Sequence, residues 1–310
     1  MPEHRSGAIA IIGRPNAGKS TLLNALLGQK VAIISNKPQT TRNRIVGIYT
    51  RDDIQIALVD TPGMHAAKSR INRSMVRAAH AALEDVDGIC WVIDAERALE
   101  KWPKGGKGIS RALEHIAVAI EKADDLPVSI ALNKVDRIKK PQLLPLMAGL
   151  HARLPLAEIF PMAAIKGSGV DPMLANWKAN LPVGPAMFPA DQIMDGSERF
   201  LVAELIREKI FHSTSQEVPY ATAVEIERFT EEERDDDRPF IEIYARVLVE
   251  RSSQKGIIIG KGGSMLERIG TSARQEIQKL LGARVRLNLH VSVQENWSEN
   301  ARMLRDFGIE

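Results

Sequence analysis

Gly13-Arg14-Pro15-Asn16-Ala17-Gly18-Lys19-Ser20 follows the apolar run Ala8-Ile9-Ala10-Ile11-Ile12 and precedes Thr21-Leu22-Leu23-Asn24-Ala25-Leu26-Leu27. The first run reads as a buried strand, and the spacing of the last suits a helix packed on a sheet. Strand, loop and helix form the context in which G-x-x-x-x-G-K-[ST] becomes a phosphate loop. Glycines let successive backbone N–H groups turn inward around a phosphate chain, and the helix N-terminus adds a favourable dipole. Lys19 is placed to reach the β- and γ-phosphates, and Ser20 to put its hydroxyl on Mg²⁺. The motif specifies a nucleotide without specifying the base.

The rest of the chain bounds the setting. Its 310 residues allow about two domains. An apolar content of 44% with 26% charged residues describes a globular protein, and a net charge of +3 is too small to imply nucleic-acid binding unless it is clustered. Cys90 is the single cysteine, so no internal disulfide forms; in Gly88-Ile89-Cys90-Trp91-Val92-Ile93-Asp94 it reads as an inert buried thiol of a reducing cytosol. No secretory leader is legible, and no apolar run approaches the ~20 residues of a membrane span.

Up to about residue 180 strand-like and helix-like runs alternate, which predicts an α/β domain, a mostly parallel sheet with helices on both faces. Three further pieces fall at predicted strand ends or in the loops between strands. Gln39-Thr40-Thr41-Arg42 is a polar loop whose threonine can close over a γ-phosphate and ligate Mg²⁺. Ile54–Val59 leads into Asp60-Thr61-Pro62-Gly63, where Asp60 can hold Mg²⁺ through water and the Gly63 amide can meet the γ-phosphate. Val128–Leu132 leads into Asn133-Lys134-Val135-Asp136. The Asp136 carboxylate can accept two hydrogen bonds from guanine N1–H and the exocyclic amine, a donor pair that adenine lacks. Asn133 is expected to tie the base loop to the phosphate loop, and the Lys134 stem to cover the base. The spacing therefore selects GTP over ATP, and the order of the pieces predicts a GTP-binding switch.

Gly-Arg-Pro-Asn-Ala-Gly-Lys-Ser, Gln-Thr-Thr-Arg and Asp-Thr-Pro-Gly resemble the Era branch of the bacterial ribosome-assembly GTPases. The resemblance implies a P-loop NTPase G domain that hydrolyses GTP with Mg²⁺. Its nucleotide-binding residues would be Asn16, Ala17, Gly18, Lys19, Ser20, Thr21, Asp60, Gly63, Asn133, Lys134, Asp136, Ala163 and Ala164. Lys19, Thr41 (rather than Thr40) and Gly63 would serve the catalytic step. Ser20, Thr41 and Asp60 would serve the metal, with Asn16 resembling an asparagine that relatives place on a K⁺ ion. The usual Ser-Ala pair behind guanine stands here as Met162-Ala163-Ala164; the serine is missing, although the Ala164 amide can still reach the guanine oxygen. Met64 replaces the water-positioning glutamine of Ras-like enzymes, so slow intrinsic hydrolysis is expected, and His65 reads as solvent-exposed. Lys68, Arg70, Arg73 and Arg77 form a basic helical face, and Lys101–Lys107 a surface insertion.

Leu181–Pro189 is proline-rich and reads as a linker, set at residues 181–195. The domain beyond it, residues 196–295, runs helix, strand, strand, short helix, Gly260-Lys261-Gly262-Gly263, helix, strand, with residues 296–310 as a C-terminal tail. That order resembles an α+β type II KH domain, whose Gly-loop amides clamp RNA backbone while adjacent aliphatics meet unstacked bases. The RNA-binding residues it implies are Ile257, Ile258, Ile259, Gly260, Lys261, Gly262, Gly263 and Arg268. Charge agrees: Arg251–His290 carries eight Lys/Arg and two acids, whereas Glu225–Glu242 carries nine acids and three arginines. A G domain followed by a KH domain is the Era architecture. It implies a monomer that binds the 3′ end of 16S rRNA and assists 30S subunit assembly, cytoplasmic with peripheral contact at the inner membrane. The competing readings are a small-molecule P-loop kinase, an RNA-binding KH protein with a structural nucleotide, and a membrane-associated cell-cycle GTPase.

Overall fold

The computed structural model describes residues 3–35, 37, 41–62, 81, 83, 85–102, 109–123, 126–232 and 239–309. The chain divides into two compact units, the first ending at Asp195 and the second running from Gly196 and taking in part of the loop that precedes Thr41.

In the first unit β1 (Arg5–Gly13), β3 (Ile54–Asp60), β4 (Gly88–Asp94), β5 (Val128–Asn133) and β6 (Glu158–Met162) run parallel, and β2 (Ile45–Arg51) is antiparallel to β3. The sheet order is β6-β5-β4-β1-β3-β2, with β7 (Met194–Asp195) at the outer edge. Ile9–Ile12, every residue of β3 and every residue of β4 are buried, which is why these strands read as unbroken apolar runs rather than alternating ones. Helices α1 (Lys19–Leu27), α2 (Ala95–Glu100), α3 (Arg111–Glu121), α4 (Lys140–Arg153) and α5 (Val170–Asn180) accompany the sheet. One core cluster joins Trp91 and Ile130 of the sheet to Leu113 and Ile116 of α3 and Leu146 and Leu150 of α4. Cys90 is fully buried, and burial pushes its thiol up, away from thiolate chemistry.

Register sets the site. Ile11 lies opposite Asp60, Gly13 opposite Val92, Asp94 opposite Asn133, and Asn133 opposite Met162. Every chemistry-bearing residue of the strands is thus at their carboxyl ends, where open α/β sheets bind ligands.

The stretch 181–195 is not a free linker. Ser6 N–H donates to Pro182 O, Gly184 N–H to His4 O, and the Gln55 side chain takes the Met187 and Phe188 amides. β7 then pairs with β2. Proline suits this edge, because the missing N–H faces no partner strand.

The second unit contains α6 (Glu198–Ser213), β8 (Ala223–Glu232), β9 (Phe240–Val249), α7 (Ser252–Ile259), α8 (Ser264–Leu281), β10 (Arg284–Val293) and α9 (Ala301–Asp306). Its sheet has the order β10-β9-β8, with β9 and β10 parallel and β8 antiparallel. Ile269, Ala273 and Ile277, one helical turn apart, form the buried stripe of α8. Residues 296–309 are packed into the unit rather than trailing from it. Trp297 is fully buried, donates to Ala221 O at 2.9 Å and meets the Phe307 ring edge-on, while Asn300 caps α9 by accepting from the Arg302 and Met303 amides. Of the loop residues counted in this unit, Lys37 donates to the Phe211 and Thr214 carbonyls at the C-terminal end of α6.

Candidate nucleotide site and RNA-binding face

The phosphate loop has the backbone its glycines predict. Gly13 has φ 148° and Gly18 φ 104°, both outside ordinary L-residue space. A Cβ on Gly18 would lie 2.1 Å from Asn133 Nδ2, so this glycine also permits the base loop to approach. Gly18 gives α1 no side-chain cap, which leaves its first amides for an anion. Lys19 is buried; its ammonium donates to Gly13 O at 3.3 Å, and burial lowers its pKa against the opposing charge of Asp60. Thr21 follows on the same first turn.

Ser20, Thr41 and Asp60 converge. Ser20 Oγ donates to Asp60 Oδ2 at 2.7 Å and lies 2.8 Å from Thr41 Oγ1. A hydroxyl has one proton, so the Thr41 hydroxyl is the donor to Ser20. Asp60 is fully buried, and burial raises its carboxyl to about 6 against the pull of Lys19, Ser20 and Thr41. Among the described residues its Oδ1 has no hydrogen-bond partner. Three hard oxygens with one buried carboxylate oxygen unused fit Mg²⁺, which takes one or two protein carboxylates and hydroxyls and completes its octahedron with water and phosphate. Ser20 and Thr41 would hold the ion directly and Asp60 through water. The ion would supply charge stabilisation at the phosphates.

The base loop is wired to the phosphate loop through two side chains, Asn133 and Lys134. Asn133 Nδ2 donates to Ala17 O at 3.0 Å, and its Oδ1 accepts from the Lys134 and Ala164 amides. The Ala164 N–H, expected to face the guanine oxygen, is therefore committed to Asn133 at 3.0 Å. Lys134 Nζ donates to Asn16 O at 2.8 Å and to Asp94 Oδ2 at 2.7 Å, stretching its stem along the side of the base site. Asp136 extends from the 3-10 turn Val135–Arg137 and pairs with Lys166. Ala163 and Ala164 are buried behind it, and Ile165 next along is 76% exposed. Gly63, Thr40, Met64, His65 and the basic residues 68–77 lie outside the described residues, as do residues 103–107 of the Lys101–Lys107 insertion.

In the second unit, α7 ends at Gly260, φ 73°, and Gly262 and Gly263 also have positive φ, at 59° and 85°. The G-x-x-G turn stands between the C-terminus of α7 and the N-terminus of α8. Among the described residues no atom lies within 4 Å of a Cβ built on Gly262 or Gly263, so one face of the turn is open to backbone approach. Lys261 and Arg268 are exposed and Ile257 is 47% exposed. Ile258 is not part of this face. It is fully buried in the unit's core, because it lies about 100° round α7 from Ile257; Ile259 is half-buried against the same core.

Comparison with known proteins meets this geometry at both ends of the chain. The model of the 50S ribosome-binding GTPase family matches residues 8–134, and that of the KH domain residues 217–298. GTPase Era of Geobacter metallireducens is 47% identical over 98% of this chain and 97% of its own. This chain belongs to the Era family of GTPases. Era of Lacticaseibacillus paracasei is 46% identical over 99% of this chain and 98% of its own. Two solved Era structures, each 38% identical, superpose over nearly the whole chain. One is Aquifex aeolicus Era, a variant bound to GDP and aluminium fluoride, with a TM-score of 0.89 over 98% of this chain and 99% of that one. The other is Era in complex with MgGDPNP and nucleotides 1506–1542 of 16S ribosomal RNA, with a TM-score of 0.91 over 99% of both. As an Era-family protein this chain is a GTPase.

Two residues of the site escape a reading by motif. Asp94 ends β4 beside Asn133 and holds Lys134, yet in the sequence it merely closes the stretch around Cys90. Its signal is positional: an acid at a strand's carboxyl end, as with Asp60, here directly before a helix. Lys166 lies two residues past Ala164, and nothing in its neighbours announces a partner in another loop.

Proposed function

We propose that this GTPase is a switch whose second unit holds the single-stranded 3′ end of 16S rRNA and that it assists assembly of the small ribosomal subunit. The observation that carries the reading is the coexistence in one chain of two built sites. One is the Ser20, Thr41 and Asp60 oxygen set beside an N-K-x-D loop. The other is an open G-x-x-G turn between two helices with Lys261 and Arg268 beside it. The relative solved with MgGDPNP and 16S nucleotides supports the choice of RNA. The nucleotide state acts through the polar stretch ending in Thr41. Hydrolysis is slow, with Mg²⁺, the phosphate loop and a K⁺ ion near Asn16 stabilising the transition state. The protein acts as a monomer in the cytoplasm; among the described residues no helix is long and apolar enough to cross a membrane, and any membrane contact is peripheral.

The test is equilibrium binding of a fluorescent RNA matching the 16S 3′ end, at fixed salt, to protein carrying a non-hydrolysable GTP analogue, GDP or nothing. Tighter binding with the analogue supports the switch. Equal binding in all three states keeps the RNA site and removes the switch. The rival small-molecule kinase requires phosphate transfer to an acceptor, and the structural-nucleotide reading requires absence of GTP turnover.

A further inference from the structure

The carboxylate on which guanine recognition rests already has a cation. Lys166 Nζ lies 3.0 Å from Asp136 Oδ2, with the lysine side chain 63% exposed and the aspartate 23%. The two come from separate turns, Asp136 from the one after β5 and Lys166 from Ala164–Lys166 after β6. β5 and β6 are parallel neighbours in register at Asn133 and Met162, so both turns leave the sheet at the same end.

The Lys166 turn stands without its side chain. Lys166 N–H donates to Ala163 O at 2.9 Å, Gly167 N–H to Ala164 O at 3.1 Å, and Ala163 and Ser168 form an antiparallel bridge across it. Gly167 closes the turn at φ 65°. The ammonium is therefore delivered to Asp136 by backbone that owes nothing to the ion pair. Its hydrogen bond with Lys166 holds the Asp136 carboxyl below the usual aspartate range, so the carboxylate is fully ionised at neutral pH.

Guanine needs both oxygens of that carboxylate, one for N1–H and one for the exocyclic amine. Lys166 is a charged donor already on one of them. A charge-assisted contact is strong enough to compete for the oxygen. An ion pair this exposed is screened by water and weak enough to be displaced. We propose that Lys166 is a built-in competitor for guanine at Asp136: it takes the place of a base donor, has to be displaced as guanine enters, and so lowers guanine-nucleotide affinity and hastens release. This rests on Asp136 as the guanine acceptor. The competitor also blunts base discrimination. Hypoxanthine donates only N1–H and leaves an oxygen to Lys166, whereas guanine must evict it.

The test compares full-length wild type, Lys166→Met, Lys166→Arg and Asp136→Asn by binding and dissociation of fluorescent GDP, with unlabelled GDP and IDP as competitors. For Lys166→Met the expected result is GDP affinity about two- to five-fold tighter, mainly through slower dissociation, given the modest strength of exposed ion pairs. The preference for GDP over IDP rises by a similar factor, a ratio that a lysine serving only the fold would not move. Lys166→Arg stays near wild type on both measures. Unchanged or weaker GDP binding by Lys166→Met overturns the proposal. Asp136→Asn separates the two layers: if it keeps full GDP affinity and preference, the base-site assignment falls, and the competitor with it. If it loses them while Lys166→Met matches wild type, only the competitor falls.

Discussion

Lys134 Nζ donates to the backbone carbonyl of Asn16 at 2.8 Å, and both residues sit in the left-handed region, at φ 65° and φ 64°. Each is a non-glycine residue in a conformation that costs of order 1 kcal/mol unless its surroundings over-determine it. Here each holds the other: the bond runs from the base loop to the phosphate loop and fixes the distance between the two halves of the nucleotide site. The Asp94 carboxylate, 2.7 Å from the same ammonium, fixes the donor.

Asp94 is therefore a positioning residue for both loops. Its Oδ1 caps α2 by accepting from Arg97 N–H at 3.1 Å, while Oδ2 holds Lys134. Asp94→Asn keeps a capping acceptor and removes the charge. The expected outcome is GDP and GTP binding weaker by about ten-fold, the scale of one hydrogen bond to a charged group. Thermal stability should fall only slightly. Calorimetric titration with a melting curve checks both, and wild-type affinity would remove Asp94 from the site.

The Asp60 carboxyl, raised to about 6 by burial, titrates above its unfolded value. Between about pH 4 and 6 the folded, metal-free protein binds a proton that the unfolded chain has released. This contribution to stability is greatest at the acidic end and is lost as pH rises through 6. Mg²⁺ requires the ionised form, so the ion's added stabilisation should shrink as pH falls below 6. Melting temperatures with and without Mg²⁺ and GDP, from pH 5 to 8, should converge towards the acidic end. A constant gap across that range would contradict the assignment of Asp60 to the metal.

Gly18 carries two demands at once, a φ of 104° and the side chain of Asn133 against its Cα. Gly18→Ala places a methyl 2.1 Å from Asn133 Nδ2, and the bond from Asn133 to Ala17 O has to break. Nucleotide binding should be lost, with the melting temperature lowered by several degrees. Gly167→Ala, where a Cβ meets nothing within 4 Å, is the control: it bears only backbone strain and should leave binding within about two-fold.

How much of this the sequence announces depends on whether a residue's partner is its neighbour in the chain. The phosphate loop, Asp60 and N-K-x-D are legible because each motif carries its own local geometry, and their strands are legible because burial on both faces leaves an apolar run. The role of Asp94 depends on β4 and β5 lying side by side, and that of Lys166 on two turns meeting across β5 and β6. Neither adjacency is written in any short stretch. The proline-rich 181–195 segment misleads for the same reason, since its bonds go to His4, Ser6 and Gln55, far back in the chain.

The isoleucine run of α7 shows the same limit and supplies a sharp test. Three consecutive isoleucines before G-x-x-G look alike in the sequence, but a helix turns each by 100° from the last, so they cannot share a face. Ile258 is fully buried with Ile269, Ala273 and Ile277, whereas Ile257 is 47% exposed beside the open turn. Ile258→Ala should therefore destabilise the second unit by about 2–5 kcal/mol through the cavity it leaves. Ile257→Ala should leave stability within about 0.5 kcal/mol and weaken binding of the 16S 3′-end RNA, because an apolar contact for an unstacked base is removed. The double change Lys261→Asp with Gly262→Asp should abolish RNA binding by repelling phosphate from the turn. GTP turnover, measured without RNA, should persist in Ile257→Ala and in the double variant alike. Loss of turnover along with RNA binding would mean that these residues act through the fold and not through contact with RNA.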